Sequence, residues 1–103
     1  MYGLIGKIKS IAGQRDALMA ILLNGLVDMP GCLSYIVAAD PTDPDAIWVT
    51  EVWASREHHQ ASLTLPSVQQ AISKGRPLIA GFGERFETIP VGGYGLANAH
   101  SIR

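Results

Sequence analysis

The chain has 103 residues, 48% of them hydrophobic, with eight Lys and Arg against nine Asp and Glu. That is enough apolar material for one core, and a net charge of −1 leaves no basic footprint for nucleic acid or an anionic membrane. The lone Cys32 rules out an internal disulfide, so nothing asks for an oxidising compartment.

Apolar runs are broken by Gly, Pro or charge well before the roughly 20 residues of a membrane span. The first ten residues place two lysines after an apolar start, the reverse of a signal peptide. A soluble, cytoplasmic protein is therefore expected.

Residues Tyr2 to Ser10 alternate, with Tyr2, Leu4, Gly6 and Ile8 on one face and Gly3, Ile5, Lys7 and Lys9 on the other, which predicts a strand. Ala12-Gly13 turns the chain. From Gln14 to Met29 the positions Leu18, Ile21, Leu22, Gly25, Leu26 and Met29 keep helical spacing, and Pro30-Gly31 marks the stop. Cys32 to Ala39 is rich in β-formers and predicts a second strand. Asp40-Pro-Thr-Asp-Pro-Asp45 is a turn; its two prolines and lack of glycine fit a hairpin loop rather than a calcium loop of the EF-hand kind.

Ala46 to Trp53 is the third strand, and Ser55 is placed to cap the helix that follows. That helix spans 56–63 and is interrupted at Pro66, which suits the first position of a second helical piece. Gly75-Arg76-Pro77 breaks the chain again. Residues 82–91 are expected to form the fourth strand, and Gly92 begins a tail running to Arg103. The domain is thus 1–91, with 92–103 as a flexible or partner-contacting tail.

The order β-α-β-β-α-β is the ferredoxin-like pattern, an α+β fold with a four-stranded antiparallel sheet and its helices on one face. Along the third strand Trp48 and Val52 point one way, and Ile47, Val49 and Trp53 the other. Helices cover only one face, and monomers avoid a large bare apolar patch. A homodimer packed through its sheet faces is therefore expected.

The stretch Glu51-Val-Trp-Ala-Ser-Arg-Glu-His-His59 gathers most of the reactive side chains. Glu51 lies in an apolar strand, where a carboxylate has to be paired, hydrogen-bonded or solvated in a cavity. It is either an ion-pair partner of Arg56, Arg76 or Arg85, or a base or acceptor in a pocket. Trp53 is read first as packing, in a core or a dimer interface. His58 and His59 point about 100° apart on a helix, which argues against a shared metal; either one alone can carry a proton, or simply face solvent. No metal site is expected. The serines lack a nucleophile elbow, and Cys32 reads as a small buried side chain. His100, in the tail, is uninformative.

Taken in order, Lys7-Ile-Lys9, the Gly13 turn, Pro30-Gly-Cys-Leu-Ser-Tyr35 and Glu51-Val-Trp-Ala-Ser55 resemble the antibiotic biosynthesis monooxygenase family. The resemblance runs from about Tyr2 to Pro90. It implies a dimeric α+β barrel that oxidises a small electron-rich aromatic such as a quinol or anthrone with O2, using neither flavin nor metal. Deprotonation makes such a substrate reactive, so the protein supplies an apolar pocket, a base and groups that stabilise the anion. In this chain the candidates are Glu51, His58 or His59 as base, Tyr35, Trp53, Phe82 and Phe86 as aromatic walls, and Ser62 as a hydrogen-bonding group.

Many relatives carry a histidine eleven residues after the Glu of Glu-x-Trp, where this chain has Ser62; His58 and His59 lie about one turn earlier. Haem-degrading cousins use an Asn on the first strand, a Trp on the second helix and a His ten residues on. This chain has no Asn in that strand, and has Ser62 and Ile72 at the other two places. The alternative is a non-catalytic dimer that binds a hydrophobic small molecule.

Overall fold

The structure, a computed structural model, describes residues 1–96; the rest of the expected tail, with His100, lies outside the described residues. In chain order the elements are β1 (Tyr2–Ser10), α1 (Arg15–Gly25), β2 (Cys32–Ala39), β3 (Ala46–Trp53), α2 (Arg56–Ser62), α3 (Pro66–Gly75), a single 3-10 turn (Arg76–Leu78) and β4 (Ile79–Thr88). The strands lie in the order β2-β3-β1-β4, every pair antiparallel. This is the expected ferredoxin-like α+β arrangement. Among the described residues no helix is long and apolar enough to cross a membrane.

Register fixes the two faces. Tyr2 stands opposite Trp53, Leu4 opposite Glu51, Gly6 opposite Val49 and Ile8 opposite Ile47, and Tyr35 on β2 is also opposite Glu51. Paired residues share a face. This set meets the helices, since Trp53 packs with Val68 of α3 in one core cluster and Ile47 and Val49 pack with Leu18 of α1 in the other. Trp53, Leu18 and Ile47 are at most 1% exposed, and each such side chain contributes about 1.5–3 kcal/mol by leaving water. Tyr35 packs against both clusters.

Two boundaries differ from the sequence expectation. α1 ends at Gly25, short of Met29. A Cβ on Gly25 would lie 2.6 Å from the Cβ of Ala71, so the absent side chain lets α1 and α3 touch. Beyond it Asp28 adopts a positive φ of 53° and turns the chain, while Met29 is still buried. β4 begins at Ile79 and stops at Thr88 instead of spanning 82–91. The weak strand-formers Ala80, Gly81 and Gly83 are held by the backbone of β1, Ser10 facing Ile79 and Lys9 facing Gly81; pairing overrides propensity there. Two residues past the end, Pro90 has no N–H to continue a ladder.

The carboxylates of the 40–45 turn serve as internal acceptors. Asp40 accepts from the backbone N–H of Thr42 (2.8 Å) and Asp43 (3.0 Å), from the Thr42 hydroxyl and from the Trp48 indole (2.8 Å). Asp43 pairs with Lys9 at 2.7 Å, and Arg15 donates to the carbonyls of Asp40 and Asp43. The Thr42 N–H, then the Trp48 indole and the Thr42 hydroxyl, hold the Asp40 carboxyl far below the usual carboxylate range.

A carboxyl depressed in the folded state adds stability above its unfolded value, near 3.9, and loses it as pH falls through the folded value. The thermal midpoint is therefore expected to drop as pH falls below about 4. In Asp40→Asn part of that acid dependence should be gone, which melting curves of both proteins from pH 7 to pH 2 would reveal.

Candidate functional site

A cavity of about 660 Å³ opens between the sheet and the helices, within the usual range of small-molecule pockets. Its walls are apolar side chains of α1, α3 and the loop between α1 and β2, among them Leu22, Leu26, Met29, Val68 and Ile72. Its polar groups come from Tyr35, Glu51, His59 and Ser62, with Arg76 on its rim.

Glu51 is placed by β-strand alternation two residues from Trp53, so both project into the cavity. The Trp53 indole N–H donates to Glu51 Oε1 at 2.9 Å, and His59 Nε2 lies 4.0 Å from the same oxygen. Glu51 and His59 are each 17% exposed at the side chain. Glu51 Oε2 has no hydrogen-bond partner among the described residues and is not sealed from the surroundings, which leaves it available to a guest molecule. None of the three arginines weighed as partners takes Glu51. Arg56 instead pairs with Glu87 at 3.1 Å and stacks over Tyr2.

The two histidines part company, as their 100° separation requires. Ser55 caps α2 by accepting the His58 N–H at 3.1 Å, and its hydroxyl also meets His58 Nδ1 at 2.7 Å. The His58 ring lies over Gly31, where an added Cβ would come within 2.3 Å of it and where φ is +80°, a conformation open mainly to glycine. His58 is thereby held at the surface, away from the cavity. His59 turns inward, edge-on to Trp53 with ring centres 5.4 Å apart and tilted against Tyr2 at 5.7 Å.

The other candidates divide as well. Tyr35 lines the cavity without a hydrogen-bond partner, and burial first, then the Glu51 charge, push its hydroxyl well above the ordinary value. It stays a donor at any working pH. Ser62 is buried and lines the cavity, but its hydroxyl is spent on the His59 carbonyl at 2.6 Å.

Phe82 lines the cavity while Phe86 does not. Four residues apart on a regular strand they would share a face, but β4 carries an extra residue between the pairs Gly6–Arg85 and Ile8–Phe82. That bulge leaves Phe82 beside Ile8 on the helix side and Phe86 beside Ile5 on the bare side. The expected wall role of Phe86 is corrected accordingly. Cys32 sits against the core with its thiol pushed up by burial, consistent with a packing role. Among the described residues no group of three His, Cys, Asp or Glu could hold a metal ion.

Sequence reasoning missed Tyr2 as the ring against His59, and the helical residues of the cavity wall. The first signal was available, since an antiparallel register that pairs Tyr2 with Trp53 brings Tyr2 beside the same histidine.

The model of one protein family, antibiotic biosynthesis monooxygenase, matches residues 1–74. No curated protein matches the chain. Among solved structures, a protein from Chloroflexus aurantiacus provisionally named an antibiotic biosynthesis monooxygenase is 67% identical, with a TM-score of 0.91 over 93% of this chain and 98% of that one. A Deinococcus radiodurans protein provisionally given the same name is 24% identical, with a TM-score of 0.74 over 90% of this chain and 95% of that one. A Pseudomonas aeruginosa protein is 17% identical, with a TM-score of 0.76 over 88% and 94%. The last two bear on the fold alone.

Proposed function

We propose that this chain, which belongs to the antibiotic biosynthesis monooxygenase family, is a cofactor-independent monooxygenase acting on a small electron-rich aromatic such as a quinol or anthrone. The observation that carries this reading is a carboxylate, Glu51, in an otherwise apolar cavity, held by an indole N–H and not locked by an arginine. In this reading Glu51 takes a proton from the substrate, and His59, 4.0 Å away, receives or relays it. The Tyr35 hydroxyl, kept protonated by burial, donates to the developing oxyanion.

The deprotonated ring then gives electrons to O2. One oxygen atom ends as a ring carbonyl, and the other leaves as water, taking up the proton removed by Glu51 and the hydrogen of the carbon attacked. Leu22, Met29 and Val68 keep bulk water from the anion. An oxygen electrode with purified protein and a series of quinols, anthrones and catechols tests the proposal. Uptake with none of them, alongside tight binding of an aromatic, would favour the non-catalytic binding protein instead.

The same reading includes a cytoplasmic homodimer closed through the sheet faces. Ile5, Ile36, Trp48, Val52 and Phe86 share the side away from the helices by register, with Ile36 55% and Phe86 53% exposed. A contiguous apolar patch of this kind is covered in stable proteins. Phe86→Asp sets a charge where burial would leave it unpaired, and its side chain is free of the monomer's core. Light scattering is expected to show the wild type at twice the chain mass of 11.0 kDa and the variant as a folded monomer. A wild-type monomer at micromolar concentration would remove the dimer.

A further inference from the structure

Beside the main cavity lies a cleft of about 230 Å³ lined by Gly6, Lys7, Glu84 and Arg85. Tyr35 and Glu51 line both spaces, so the proposed reacting groups stand at the boundary between them. The cleft exists where Gly6 has no side chain. A Cβ built on Gly6 would meet no atom within 4 Å, whereas one on Gly3, in the same strand, would run into the Thr88 hydroxyl at 2.1 Å. Gly6 also lacks a positive φ. Neither packing nor a positive φ asks for glycine there, and a strand interior is weaker for having one. A strand glycine recurs at bulges and where a ligand approaches closely; Gly6 adjoins the bulge, but the extra residue is on β4, and the open space over Gly6 fits the second.

We propose that Gly6 is a specificity-determining residue, admitting a substituent that the substrate carries beside its reacting hydroxyl. This rests on the reading of Glu51 as the base. The lining suggests the chemistry of that substituent. Arg85 is a donor only, the Lys7 ammonium is already turned to Asp40 at 3.9 Å and over Trp48, and Glu84 and Glu51 repel an anion, so a neutral acceptor fits. A ketone or other acyl carbonyl on the ring carbon next to the hydroxyl meets both conditions.

The test compares 1-naphthol with 2-acetyl-1-naphthol by calorimetric titration of the wild type, Gly6→Ala and Gly6→Val. The wild type is expected to bind the acetylated probe about tenfold more tightly, the share of a few additional buried ligand atoms. Gly6→Val should abolish that margin and Gly6→Ala reduce it, both leaving 1-naphthol affinity unchanged and the melting temperature no lower. A wild type without preference for the acetylated probe overturns the proposal. So does a Gly6→Val that weakens both probes alike or neither, and so does a loss accompanied by a fall in melting temperature in both variants. Titration needs no turnover, so a selective loss in a protein that consumes no oxygen would sustain the cleft and remove the monooxygenase reading.

Discussion

Glu51→Gln is expected to slow oxygen consumption by about 10²–10⁴-fold, the usual contribution of a positioned general base, while the protein stays folded. The side chain keeps its size, and its amide oxygen can still accept the Trp53 N–H that now reaches Oε1. What it loses is the ability to take a proton. Circular dichroism and light scattering unchanged from the wild type, with oxygen uptake abolished, would place the defect in chemistry rather than folding.

His59→Asn supplies the complementary measurement. If His59 acts only on the proton held by Glu51, the double variant should be no slower than Glu51→Gln alone, because residues that work as a unit lose their effect together. Additive losses would instead give His59 a role of its own. Full turnover in a sound Glu51→Gln protein removes Glu51 from the mechanism.

The parts of this site that could be read from the sequence are those governed by local rules. Alternation set Glu51 and Trp53 on one face and Trp48 and Val52 on the other. Ser55 announced the start of α2, and Pro66 the start of α3. The helical pitch kept His58 and His59 from acting together, but it was silent on which of them turns inward. That choice is made by Gly31, about 90 Å of extended chain away at about 3.3–3.6 Å per residue, yet under the His58 ring in the fold.

Phe82 and Phe86 show the limit more sharply. Period-2 reasoning assigns them one face, and a single extra residue in β4 sends them to opposite faces. Gly83 is the one sign of a bulge in 82–86, but it does not fix which pairs the extra residue separates; that arises from how β1 meets β4. The family resemblance carried the fold correctly for the same reason that it could not carry Phe86: it fixes the order of elements, not their register.

Trp53→Ala is the substitution expected to cost most stability. The residue is 1% exposed and packs with Tyr2, Leu4, Met29 and Val68, so its removal leaves a cavity that β3, held between β1 and β2, cannot collapse to fill. Such truncations cost about 3–5 kcal/mol, against a total of about 5–15 kcal/mol for a domain, and the melting temperature should fall by about 15 °C or more. The change also strips Glu51 of its indole donor. Trp53→Phe separates the two effects in large part, because it keeps an aromatic ring in the core while removing the N–H together with a smaller share of the buried volume. Its stability loss should be the smaller one, about 1–3 kcal/mol for a partner left without its hydrogen bond, while its oxygen uptake falls with the loss of an oriented carboxylate. Denaturant curves for both variants at one fixed protein concentration, which an oligomer's stability depends on, provide the comparison. Equal destabilisation by Ala and Phe would mean that Trp53 matters through its hydrogen bond to Glu51. A Phe variant with wild-type stability and wild-type turnover would mean that packing alone accounts for it, and that Glu51 does not depend on the indole for its position.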